Sequence, residues 1–159
     1  MTSVITRKVP PAALVRAINP LARLLLRSPL NGLLGPTVLL LHVTGRKTGR
    51  RYDIPIGCVA IEDRLILVTV ARWRVNLRGG GDVEVTRHGV RRPMHALLDE
   101  DPASVAVAYD SVIEHLGWPR AARQLGIETD HGQRPTLLEL RVAAQVYSWA
   151  VITLTVPGR

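Results

Sequence analysis

A near-unbroken apolar run, Val38-Leu39-Leu40-Leu41-His42-Val43, is the strongest constraint in this sequence. Pro36 and Gly45 bound it, so it is far shorter than the ~20 apolar residues a membrane helix needs. Such a run reads as a strand buried on both faces. Behind it comes Thr44-Gly45-Arg46-Lys47-Thr48-Gly49-Arg50-Arg51, and then a second apolar run from Tyr52 to Ile61. Strand, Gly-bounded turn, strand predicts a hairpin with all its charge at the tip.

The tip has the chemistry of an anion site. Glycine lets the backbone turn tightly and aim several N–H groups one way, forming a concavity for an anion. Arg46 offers a planar fork of donors, Lys47 a point charge and Thr48 a hydroxyl. The set suits a phosphate or a carboxylate. A solvated basic loop that keeps a hairpin edge from aggregating has the same composition, and the pattern alone does not separate the two. In the returning strand Ile54, Ile56, Cys58 and Ala60 share one face, and Pro55, Gly57, Val59 and Ile61 the other. Both faces are apolar or small, which predicts cover on both sides. Pro55 and Gly57 leave room for a flat ligand close to the backbone.

The remaining chain supplies short strands first and helices late. Residues 1–9 read as a loose polar tail. Residues 10–27 have helical spacing that Pro20 kinks or divides, with Arg16, Arg23 and Arg27 on one face. Such a face suits contact with an anionic membrane surface, or a helix lying on its own barrel. Residues 28–36 form a loop. After a turn at Glu62-Asp63, residues 64–71 make a third strand. Residues 72–78 have short-helix spacing, with Trp73 and Leu77 four apart, and end at Gly79-Gly80-Gly81. Residues 82–86 and 90–98 form a hairpin about His88-Gly89, and Pro93 predicts an edge or a bulge. Asp101-Pro102 starts a helix that Gly117 stops, and residues 119–125 form another that Gly126 ends. Residues 127–134 read as a polar loop. Alternation over residues 136–142 predicts a closing strand, and residues 146–156 a further one. These are the parts of a single domain: a small antiparallel β-barrel over residues 37–142, mainly β with inserted helices.

Composition narrows the partners. With 47% hydrophobic residues among 159, the chain can bury a sizeable core. A formal net charge of +8 calls for an anionic partner: nucleic acid, membrane surface or a polyanionic ligand. The arginines are spread along the chain with no aromatic platform between them, which argues against single-stranded nucleic acid. One cysteine, Cys58, allows no internal disulfide and, with no signal segment in evidence, predicts a cytoplasmic protein. Apolar strand faces predict a homodimer.

No nucleophile stands beside a base. His42, His88, His95, His115 and His131 are scattered without metal-ligand spacing, so no metal site and no catalytic side chain is assigned. His42, in a buried strand, reads as a satisfied core histidine. Tyr109 and Trp118 read as core packing rather than substrate stacking. An enzyme with so little side-chain chemistry leaves the reaction to a cofactor.

The ordered pair of motifs, Thr44-Gly45-Arg46-Lys47-Thr48-Gly49 then Trp73-Arg74-Val75-Asn76-Leu77-Arg78-Gly79-Gly80, with Pro55 between them, resembles the deazaflavin-dependent nitroreductase family of actinobacteria. Members of that family bind coenzyme F420 in a split β-barrel. The resemblance implies that Arg46, Lys47 and Thr48 hold the phosphate part of the coenzyme tail. It implies that Tyr52, Asp53, Ile54, Pro55, Ile56 and Gly57 lie along the deazaflavin, with Thr69, Val70 and Ala71 beside the ring. Trp73 and Asn76 match the family's cofactor-contacting helix. The implied activity is hydride transfer from reduced F420 to a quinone-like or other planar electrophile. FMN on the same barrel, or a barrel that binds a ligand without catalysis, are the competing expectations.

Overall fold

The structure, a computed structural model, describes residues 4–8 and 37–158. The helix expected over residues 10–27, the loop over 28–36 and the basic face of Arg16, Arg23 and Arg27 lie outside them. Described strands are β1 (Ile5–Arg7), β2 (Val38–Thr44), β3 (Arg51–Gly57), β4 (Val59–Ile61), β5 (Arg64–Thr69), β6 (Gly81–Arg87), β7 (Val90–Asp99), β8 (Ile127–Thr129) and β9 (Ala150–Thr155). A 3-10 helix covers Arg72–Leu77, and the α-helices are α1 (Pro102–Leu116), α2 (Trp118–Leu125) and α3 (Leu137–Tyr147). Seven strands form one sheet in the order β3-β2-β6-β7-β9-β5-β4, and β1 pairs with β8. The fold is mainly antiparallel β with helices inserted late, as a split barrel requires.

Contacts divide the chain into two compact units. One takes in the described residues of Pro10–Leu67, Ala71–Leu98 and Thr153–Arg159. Its core is the run that dominates the sequence. Leu39, Leu40, Leu41 and Val43 are buried together with His42, so both faces of β2 are covered. Each such aliphatic side chain contributes roughly 1.5–3 kcal/mol by burial. Register runs from Val38↔Gly57 to Thr44↔Arg51 on one side of β2, and includes His42↔Glu84 on the other. Turn chemistry closes the hairpins: His88 (φ 51°) and Gly89 (φ 76°) join β6 to β7 with both central residues left-handed.

The other unit takes in the described residues of Met1–Val9, Val68–Val70 and Asp99–Ile152. Asp101 caps α1 by accepting from the Ser104 N–H at 3.0 Å, with Pro102 at the first helical position. Tyr109 is buried and stacks on Trp149, centroids 4.3 Å apart and planes within 6°, so it packs the core as expected. Burial also pushes its hydroxyl pKa upward.

Five expectations are corrected. Residues 136–142 form the start of α3, not a strand. The Thr136 hydroxyl accepts from the Glu139 N–H at 3.2 Å, and the Glu139 carboxylate accepts from the Thr136 N–H at 2.7 Å. This reciprocal cap starts a helix that buries Leu140, Ala143 and Ala144 at helical spacing. Within the polar loop expected over residues 127–134, Ile127–Thr129 pairs with Ile5–Arg7, so the expected loose tail is also partly a strand. The buried side chains of Ile5 and Ile127 hold it, and the Tyr147 hydroxyl donates to the Ile5 carbonyl at 2.9 Å. Pro93 marks neither edge nor bulge: β7 lies between β6 and β9, and its register with β6 runs through Glu84↔Pro93 without a shift. Val90–Pro93 are all exposed, so the missing N–H leaves no buried deficit. Finally, β3 is an edge strand among the described residues, and Asp53–Ile56 are half-buried rather than covered.

Candidate functional site

The two motifs that stand 24 residues or more apart in the sequence meet in the structure. The turn between β2 and β3 closes on itself: the Gly45 N–H donates to the Arg50 carbonyl at 2.7 Å, and the Gly49 N–H to the Gly45 carbonyl at 2.9 Å. Gly49 takes φ 68°, a conformation that favours glycine. Gly45 is buried, and a Cβ there would meet Thr48 Oγ1 at 3.1 Å and the Tyr52 ring at 3.2 Å. A side chain there would make these neighbours give by a few tenths of an ångström, which glycine avoids.

Asn76 ties this turn to the 3-10 helix. Its side-chain Nδ2 donates to the Trp73 carbonyl at 2.8 Å, and its Oδ1 accepts from the Arg46 N–H at 3.0 Å. The Arg46 guanidinium donates to the Arg78 carbonyl, beyond the helix. Arg50 lies over the Tyr52 ring, 5.9 Å from its centroid. The turn and the helix thus dock together, and residues 44–52 and 71–81 carry Arg46, Lys47, Arg50, Arg51, Arg72, Arg74 and Arg78 with no acid among them, while Arg51 lies 3.6 Å from Asp53 and 3.8 Å from Glu84. That donor set fits an anionic group.

The turn differs from expectation in one respect. The backbone concavity expected at the glycines is largely closed, because the N–H groups of Gly45, Arg46, Gly49 and Arg50 donate within the protein. Thr48 Oγ1 accepts from Arg50 N–H at 3.2 Å. The donors left for an anion are side chains, among them those of Arg46 and Lys47, which are exposed. One Arg46 N–H is taken by the Arg78 carbonyl, out of the five a guanidinium carries.

On β3, Tyr52 is exposed, Ile54, Pro55 and Ile56 are half-buried, and Gly57 is exposed. Thr69, Val70 and Ala71 are half-buried at the end of β5, as are Trp73 and Asn76. Asp53 is committed elsewhere. Its Oδ1 accepts from His42 Nδ1 at 2.6 Å and lies 3.6 Å from Arg51. Because a carboxylate only accepts, the proton sits on His42 Nδ1. His42 Nε2 faces Thr86 Oγ1 at 2.9 Å, which makes His42 the satisfied core histidine expected of it. The sequence reading missed this network. Hairpin register held the signal, since a strand pair closing at Thr44↔Arg51 sets His42 opposite Asp53. Beside the network and the helix lies a cavity of about 360 Å³, lined by His42, Arg51, Asn76, Asp82, Glu84 and Pro93 among others. Cys58 is buried, and burial pushes its thiol pKa up against the opposing pull of Arg87.

Residues 28–128, which include the basic turn and the Trp-x-x-Asn helix, match the model of the F420H(2)-dependent quinone reductase family. The chain belongs to this family. It is an oxidoreductase, and its cofactor is reduced coenzyme F420. The competing FMN expectation is set aside by that assignment. A comparison with curated proteins found no match. A solved structure described as a domain-swapped dimer aligns over 91% of this chain and 99% of its own, with 17% identity and a TM-score of 0.47.

Proposed function

We propose that this member of the quinone reductase family transfers a hydride from reduced F420 to a quinone-like planar electrophile, with the cofactor's anionic tail on the basic turn. The observation that carries the reading is the basic turn of Arg46 and Lys47, held on the helix through Asn76 and the Arg78 carbonyl. Reduced F420, when bound, supplies the hydride. The chain's own residues bind and orient. Arg46 and Lys47 hold negative charge, Thr48 adds a hydroxyl, and Asn76 keeps the turn in place. Tyr52, Ile54, Pro55, Ile56 and Gly57 offer a flat, half-exposed edge for a ring, and Ala71 and Trp73 are proposed for it as well. Asp53, on the same strand, also bonds His42 and so helps fix the strand. No side chain is assigned to proton transfer.

We also propose a cytoplasmic homodimer, with Arg16, Arg23 and Arg27 able to touch an anionic membrane surface. No helix among the described residues is long and apolar enough to cross a membrane. Co-flotation with anionic liposomes at low salt supports the surface contact, and its absence removes it. The catalytic reading is tested by mixing reduced F420 with the protein anaerobically and adding a naphthoquinone. Quinone-dependent return of the oxidised deazaflavin spectrum is expected. Tight F420 binding without oxidation would leave only a ligand-binding barrel.

A further inference from the structure

Within the unit that carries the basic turn lies another cavity, of about 650 Å³. That is the size of a small-molecule site. Its floor includes Leu65, Val85 and Met94, none more than 8% exposed. Arg64, Arg87, His88 and Arg92 line it, and so do two acids, Glu62 and Asp63. Glu62 lies 3.8 Å from Arg64, and Arg87 is engaged with the Cys58 thiol. Arg92 stands exposed on the wall.

This cavity is separate from the turn by both end and face of the sheet. His42 pairs with Glu84, so the turn stands level with the first residues of β6. The cavity is at the other end, where Arg87 and Val90 close the β6–β7 hairpin. At ~3.3 Å per residue, Arg87 stands roughly 20 Å from Gly81 along β6, while Pro93 borders both this cavity and the one beside the His42 network. Val85 and Arg87 also point to the face opposite Glu84 and Thr86, which border the His42 network.

We propose that this cavity is a second binding site, for an amphipathic anion: an apolar body against Leu65, Val85 and Met94, and a carboxylate head met at the rim by Arg92, with Arg64 and Arg87 adding charge. Neither the cofactor assignment nor the hydride acceptor is needed for it. The chain has two methionines, Met1 and Met94, so a protein labelled with 13C at the methionine methyls carries a reporter in the cavity floor. Dodecanoate is titrated below its micellar concentration. The Met94 signal should shift saturably. Arg92→Ala should weaken binding about tenfold, the loss of one charge-assisted contact. Dodecanol, which lacks the charge, should bind at least as weakly. Ala60→Trp, an exposed position on the cavity wall, should abolish the shift while F420 affinity stays unchanged. Three results would each overturn the site: no Met94 shift at millimolar dodecanoate, retained binding in Ala60→Trp, or displacement of dodecanoate by F420. Equal binding of dodecanol and dodecanoate, with Arg92→Ala silent, would overturn its anionic character.

Discussion

At the scale of single residues, Asn76 carries more than the sequence assigned to it. It matched a helix that contacts the cofactor, and in the structure both ends of its amide are bonded to protein. It positions Arg46. A neutral hydrogen bond contributes about 1 kcal/mol net, so Asn76→Ala should weaken F420 binding roughly fivefold. Asn76→Asp should weaken it further, because it loses the donation to Trp73 and sets a negative charge beside the anionic tail. Fluorescence titration of the three proteins checks the order. Identical affinities would mean that the docked turn plays no part in binding. His42 shows the reverse case: its place in an apolar run made burial legible, but its partners Asp53 and Thr86 come from strands whose register only the fold supplies.

Among the elements, the strands and helix starts with local chemistry were legible. The β6–β7 hairpin announced itself through His88-Gly89, and α1 through Asp101-Pro102. At α3, alternation of Leu138 and Leu140 against Glu139 and Arg141 over seven residues mimicked a strand. The capping box decides the matter, and Leu138 is left 68% exposed. Strand β1 was unreadable because its partner β8 lies more than a hundred residues away in the sequence. The caps make a pH prediction. Ser104's backbone N–H holds the Asp101 carboxyl below its usual range, and Thr136's does the same for Glu139. A lowered folded-state pKa stabilises the fold above the unfolded values of about 3.9 and 4.3, and the gain is lost as pH falls through the folded-state values. Melting temperature should therefore drop below about pH 4. Asp101→Asn keeps the cap without the titration, so its acid limb should be shallower. Thr136→Ala should cost about 0.5–2 kcal/mol at neutral pH. Superimposable acid limbs for wild type and Asp101→Asn would contradict this assignment.

For the molecule as a whole, exposed apolar side chains and a surplus of positive charge point outward to partners. Val107, Leu137 and Leu138 are each about half exposed or more. Sedimentation at micromolar concentration should give a dimer, and a monomer alone would count against one. The fold class was legible because short strands, tight turns and late helices follow local rules, and the family was legible because two motifs occur in a fixed order. The central claim remains the basic turn. Arg46→Ala with Lys47→Ala removes two exposed cations, and circular dichroism should show the fold retained. Two charge-assisted contacts at about 1.5–3 kcal/mol each predict a loss of roughly a hundredfold or more in F420 affinity. Added salt should weaken the wild type more than the double variant. Fluorescence titration of F420 into both proteins is the direct measurement: a hundredfold gap that narrows with salt is the expected result, and equal affinities would contradict the account.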